Sequence, residues 1–124
     1  MKLFSAQMII LCVTAVAACT PAVTVTSRLS GQQGTGTLEN AAFGNSGKMS
    51  LAIGDEQFVG TWMAVRDTGF LGRSADAGVG NAVLRSNKGN HMTCEFKYSM
   101  STYTGLGICI KNEKETFDLQ AKLT

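Results

Sequence analysis

The chain has 124 residues, 44% of them hydrophobic, with 14 glycines, four cysteines, one histidine and a formal net charge of +2. This length limits the chain to one domain, and the near-neutral charge excludes a dedicated nucleic-acid binder, which needs a basic stripe. Apolar residues are concentrated in residues 1–18, whereas every glycine comes later, so the average describes two different segments.

The first segment has the pattern of an export signal. Lys2 supplies a positive charge, and Phe4 to Ala18 is apolar except for three polar residues. This run is too short to span a bilayer stably, which favours a signal peptide over a membrane helix.

The end of this segment, Val16-Ala17-Ala18-Cys19, resembles the lipobox of bacterial lipoprotein precursors. The resemblance implies that residues 1–18 are removed and that Cys19 carries several acyl chains, which makes membrane anchoring durable. Thr20 stands where an aspartate would favour inner-membrane retention, so the resemblance implies an outer-membrane anchor facing the periplasm. The alternative is an ordinary secretory signal cut near Ala18, with Cys19 incidental.

The cysteines divide by segment. Cys12 leaves with the signal and Cys19 takes the lipid, so the mature domain keeps Cys94 and Cys109. One remaining pair in an oxidising compartment predicts a disulfide. A metal site would need more ligands than His91 nearby supplies, so we expect no metal and no cofactor.

After residues 19–30, expected to form a lipidated tether, period-2 alternation predicts an all-β domain over 31–124. The pattern favours a small antiparallel meander of about eight strands, closed as a barrel or strongly twisted. Segments with this alternation are Val23–Val25 in the tether, then Thr35–Phe43, Met49–Ile53, Phe58–Val65, Ala82–Ser86, His91–Tyr98, Leu106–Ile110 and Phe117–Ala121.

Turn residues between these strands predict their registers. A turn over residues 54–57 sets Ile53 opposite Phe58, and the loop at residues 87–89 sets Leu84 opposite Met92. Pairing Cys94 with Cys109 places Phe96 opposite Gly107 and Tyr98 opposite Gly105, so that two aromatic rings cover two glycines. Leu106, Ile108 and Ile110 are expected to face Phe117, Leu119 and Ala121.

The sequence contains no strong catalytic pattern. No Gly-x-Ser-x-Gly nucleophile elbow accompanies the single histidine, His91. Asp55 and Glu56 are expected to be solvated turn residues. Trp62 alternates with apolar residues and is expected in the core. The glycine pairs at 78–80 and 105–107 precede no helix start, so they do not predict a phosphate site.

Two loops are candidates for partner binding. Residues 66–81 form a glycine-rich stretch without a clear period, and it carries Arg66, Phe70 and Arg73. Tyr103 lies in the hydroxyl-rich hairpin tip 99–104. The loop 66–81 could equally be a disordered excursion, and the tip could be a plain exposed turn.

These features favour a non-enzymatic, lipid-anchored protein that binds or scaffolds a protein partner at the bacterial envelope. The domain is also similar to periplasmic lysozyme inhibitors in its size, its single disulfide and its expected small barrel, which implies inhibition of a hydrolase as the alternative function. A third possibility is an accessory subunit of an envelope assembly docked through the loop 66–81.

Overall fold

The computed structural model describes residues 22–39, 46–66 and 77–122, which form eight β-strands. In chain order these are β1 (Ala22–Ser27), β2 (Gln33–Leu38), β3 (Ser46–Ile53), β4 (Glu56–Arg66), β5 (Ala77–Ser86), β6 (His91–Ser99), β7 (Thr104–Lys111) and β8 (Glu115–Lys122).

Each strand pairs antiparallel with the next one, and β8 pairs back with β1 to close a barrel. The closing pairs run from Ala22 opposite Lys122 to Ser27 opposite Phe117. This confirms the all-β meander and selects the closed barrel over an open twisted sheet. The barrel begins at Ala22, so residues 22–30, expected to belong to the tether, form β1 and its turn instead.

Alternate residues of each strand point into the barrel and form one apolar core. Its largest fully buried side chains are Phe58 and Phe117. Trp62 is in this core as predicted, and its indole N–H donates a hydrogen bond to the carbonyl of Glu39 over 3.0 Å. The other core members are Val23, Val25, Leu38, Met49, Leu51, Ile53, Ala82, Leu84, Met92, Cys94, Cys109, Leu119 and Ala121.

The predicted registers of β5 with β6 and of β6 with β7 are confirmed. Leu84 lies opposite Met92, and Phe96 lies opposite Gly107. The expectation that the rings of Phe96 and Tyr98 cover Gly107 and Gly105 is wrong, because these rings lie against Gly80 and Gly78 of β5 instead. Cys94 and Cys109 are directly paired, with a Cα–Cα distance of 4.0 Å, and their sulfur atoms form the predicted disulfide.

The predicted register of β3 with β4 is wrong by two residues. Ile53 lies opposite Glu56 and Leu51 opposite Phe58. The turn contains only Gly54 and Asp55, and Gly54 has a φ of 62°, which suits a two-residue hairpin loop. A shift of two residues preserves the side-chain faces, so Leu51 and Phe58 remain in the core.

The expected facing of Leu106, Ile108 and Ile110 toward Phe117, Leu119 and Ala121 is also wrong. The residues opposite Phe117, Leu119 and Ala121 are Cys109, Gly107 and Gly105. The three large apolar residues of β7 therefore point out of the barrel.

The two ends of the barrel differ in what they carry. One end, here called the terminal end, holds Ala22 and Lys122, the last residue of β4 and the β6–β7 turn. The opposite end, here called the polar end, holds the turns that begin after Ser27, Ile53, Ser86 and Lys111. Arg66 ends β4 and residues 77–81 belong to β5, so the part of the expected loop 66–81 that the structure describes is strand.

Candidate functional site

One side of the barrel exterior is apolar. Met63 and Val65 on β4, Val79 and Val83 on β5, and Leu106 on β7 are each more than half exposed. Ile108 and Ile110 of β7 are half-buried on the same side. These seven residues are named the apolar face.

The other side of the exterior is polar. Outward positions there belong to β1, β2, β3 and β8, and they are mostly hydroxyl-bearing, amide or charged residues: Thr24, Thr26, Gln33, Thr35, Thr37, Lys48, Ser50, Thr116, Asp118 and Gln120. Scattered single apolar residues are normal on a protein surface, whereas the apolar residues of this barrel are grouped on one side.

Strand β6 crosses the middle of the apolar face and contributes the polar residues Thr93, Glu95 and Lys97. A shallow groove of about 320 Å³ lies along this strand. Val83 lines it on one side and Ile110 on the other. This cleft, named the central groove, is lined by Asn81, Val83, Thr93, Glu95, Ile108 and Ile110, with Ala82 and Cys94 beneath them.

The apolar face continues to the terminal end in one cross-strand row. Val65 pairs with Val79, Val79 with Lys97, and Lys97 with Leu106. These four residues are named the terminal row, and they line a second groove of about 580 Å³.

Packing inside the barrel explains why β7 presents its large residues outward. A Cβ atom added at Gly107 would lie 2.0 Å from the carbonyl oxygen of Glu95 and 2.7 Å from the Cα of Phe96. Only glycine fits at this inward position, so alternation forces Leu106 and Ile108 to the outside.

The polar end holds a network around one buried carboxylate, Glu56. Asn90 donates to its Oε2 over 2.6 Å and the Lys111 ammonium to its Oε1 over 3.2 Å. Burial by itself would raise the pKa of Glu56. Hydrogen bonds from Ser86, Asn90 and Lys111, with the charge of Lys111, outweigh burial and hold this pKa below its ordinary value.

The expectation that Glu56 is a solvated turn residue is therefore wrong. Glu56 is 7% exposed because it is the first residue of β4 and turns inward there, opposite Ile53. Its neighbour Asp55 is exposed and accepts a hydrogen bond from Lys88. The two-residue turn ends at Asp55 and β4 begins at Glu56, so the length of the turn decides which of the two carboxylates points inward.

The predicted partner-binding residues fall partly within the described structure. Arg66 and Tyr103 are both exposed and both lie at the terminal end, where Arg66 ends β4 and Tyr103 precedes β7. Phe70, Arg73 and the lipid-attachment candidate Cys19 lie outside the described residues. No residue of a described loop lines the central groove, because all of its lining residues lie on strands. The sequence analysis did not predict this groove.

His91 lies at the polar end. Its Nε2 is 3.7 Å from a carboxylate oxygen of Glu113, and its backbone N–H donates to the side chain of Asn112. Within the described ranges, no three or more His, Cys, Asp or Glu side chains group as metal ligands would. None of these residues forms a helix long and apolar enough to cross a membrane.

Comparison of this chain with protein-family models, with curated proteins and with solved structures finds no match.

Proposed function

We propose that this chain is a non-enzymatic, lipid-anchored protein of the bacterial envelope that binds a protein partner through the central groove. The observation that carries the proposal is the difference between the two sides of the barrel exterior. Exposed apolar residues are grouped on β4, β5 and β7, and the other outward positions are mostly polar. Exposed apolar side chains lose contact with water when a partner covers them, and each contributes roughly 25 cal/mol per Å² buried.

The residues that line the central groove support a protein as the occupant. Val83 and Ile110 give it apolar walls, and Thr93 and Glu95 supply hydrogen-bonding groups between these walls. Interfaces of this kind combine an apolar centre with a few polar contacts that fix orientation.

The positions of the ionisable groups favour binding over catalysis. Glu56 accepts hydrogen bonds from three side chains at the polar end, whereas the central groove contains a single carboxylate, Glu95. A hydrolytic site would bring a nucleophile, a base and a stabilising group together in one cleft.

The position of the first strand supports the lipid anchor. Cys19 precedes Ala22 by three residues, so it can lie at most about 10 Å from the terminal end. Incorporation of a labelled fatty acid that is lost on Cys19→Ala tests the anchor, and a label that persists in this variant contradicts it.

Partner binding is tested by photo-crosslinking in cells that express the full chain. A photoreactive amino acid at Val83 reports on the central groove, and the same amino acid at Thr35, exposed on the polar side, is the matched control. We expect a discrete protein adduct from position 83 and none from position 35. Equal labelling from both positions contradicts the proposal.

Hydrolase inhibition remains the alternative proposal. Its support is the exposed tip 99–104. Hydrogen bonds between hydroxyl groups join Ser99 to Ser101 and Thr102 to Thr104 there. Titration of a lysozyme with this protein tests it: loss of hydrolysis that depends on Tyr103 supports inhibition, and unchanged hydrolysis at large molar excess removes it.

A further inference from the structure

We infer that the terminal row and the rim around it, formed by Arg66, Tyr103 and Lys122, lie against the surface of the lipid bilayer. The inference rests on the proposed anchor at Cys19. It concerns the part of the apolar face nearest the terminal end, where the groove lined by the terminal row shares Asn81, Glu95 and Ile108 with the central groove.

The first argument is the place where the anchor joins the barrel. β1 starts at Ala22, which lies opposite Lys122 at the terminal end. A lipid on Cys19 would hold this end within about 10 Å of the membrane. The polar end lies at the other end of the strands, and the central groove stays on the side of the barrel, where a protein can reach it.

The second argument is the chemistry of this end. Val65 is 69% exposed, Leu106 is 64% exposed and Val79 is 53% exposed. An interfacial surface buries such side chains at the boundary between headgroups and acyl chains. Tyr103, 48% exposed, adds an aromatic ring with a polar tip, the kind of side chain that is enriched at membrane interfaces.

The third argument is charge. Lys97 lies within the terminal row, and Arg66 and Lys122 lie on the rim beside it. Each basic residue near an anionic lipid surface strengthens association by about fivefold, and salt screens the effect. Apolar side chains flanked by cations match a bilayer that contains anionic lipid better than they match an apolar protein surface.

The test uses the full-length, lipidated protein reconstituted into vesicles of phosphatidylethanolamine and phosphatidylglycerol that contain a brominated lipid, which quenches nearby tryptophan. Leu106→Trp places a reporter in the terminal row. Leu29→Trp places the control reporter at the polar end, where Leu29 is 83% exposed. The buried Trp62 gives the same background in both variants.

We expect strong quenching from position 106 and little from position 29. Arg66→Gln combined with Lys97→Gln should lower the equilibrium constant for contact by about fivefold per charge, while Lys114→Gln at the polar end should leave it unchanged. Equal quenching from positions 106 and 29 overturns the inference, and so does a protein rather than a lipid adduct from a photoreactive residue at 106.

The anchor and the contact fail separately in this design. Acyl label on the protein with equal quenching leaves the anchor standing and removes the membrane contact. Selective quenching at position 106 in protein without acyl label keeps the membrane contact and removes the anchor from the proposed function.

Discussion

The ammonium of Lys111 on β7 donates a hydrogen bond to the buried carboxylate of Glu56 on β4, 55 residues earlier in the chain. Neither strand is the neighbour of the other in the sheet, so this contact crosses the polar end of the barrel. Asn90 and Ser86 complete the set of donors to the same carboxylate. The polar end is therefore held by side chains from several strands.

Replacing Glu56 with glutamine should destabilise the fold by roughly 2 kcal/mol at neutral pH, because Lys111 would keep its charge without its partner. Urea unfolding measures the change. Glu113→Gln is the control, since that carboxylate is 89% exposed and surface changes usually stay within about 0.5 kcal/mol. An equal loss of unfolding free energy in both variants would contradict a stabilising role for the buried carboxylate of Glu56.

The stabilising effect of Glu56 should depend on pH. Its pKa is lower in the folded protein than the ordinary value of 4.5. Its contribution is therefore fully present above the ordinary value and is lost as the pH falls through the folded value. Urea unfolding at neutral pH and near pH 3 should show the gap between wild type and Glu56→Gln narrowing in acid. A gap that widens in acid would contradict the lowered pKa.

Removing the disulfide should cost about 3 kcal/mol, because Cys94 and Cys109 close a loop with a sequence separation of 15. The double variant Cys94→Ala, Cys109→Ala and the reduced wild type should lose similar stability in urea. Addition of reductant to the double variant should leave its free energy of unfolding unchanged. Unchanged stability of the reduced wild type would show that the bond does not constrain the chain.

Two glycines of β7 should respond differently to the same substitution. Gly107→Ala would place a Cβ 2.0 Å from the carbonyl oxygen of Glu95, and we expect a loss of about 2 kcal/mol from overpacking. Gly105→Ala meets no atom closer than 3.4 Å and should leave stability unchanged or slightly higher. Thermal unfolding of the two variants checks this, and equal destabilisation would contradict the packing at Gly107.

Local patterns were sufficient to predict much of the fold. Alternation and turn residues predicted the all-β class, the approximate number of strands and the β6–β7 register, because Cys94, Phe96 and Tyr98 all agree with one pairing. The closure of β8 on β1 joins residues about 95 positions apart, and no local signal specifies such a pairing.

The apolar face was missed for a different reason. The outward residues of β7, Leu106, Ile108 and Ile110, are larger and more apolar than its inward glycines. Hydrophobicity alone therefore predicts, wrongly, that these three residues face the core. The β6–β7 register pairs Gly107 with Phe96, and Cys109 with the buried Cys94. Taken consistently, these pairs would have predicted the outward direction of Leu106.

The buried state of Glu56 could not be predicted from its position in a turn. Its donors Asn90 and Lys111 come from other hairpins, and only the closed barrel brings them together.

The proposal that the central groove binds a protein is tested most directly by photo-crosslinking from position 83 in cells whose protein also carries Ile110→Lys. Thr35→Lys, the same change on the polar side, is the control. We expect Ile110→Lys to abolish the adduct, because the new charge lies in the groove, and Thr35→Lys to leave it intact, with both variants unfolding at the wild-type temperature. An adduct that survives Ile110→Lys, or that both substitutions remove equally, would contradict partner binding in the central groove.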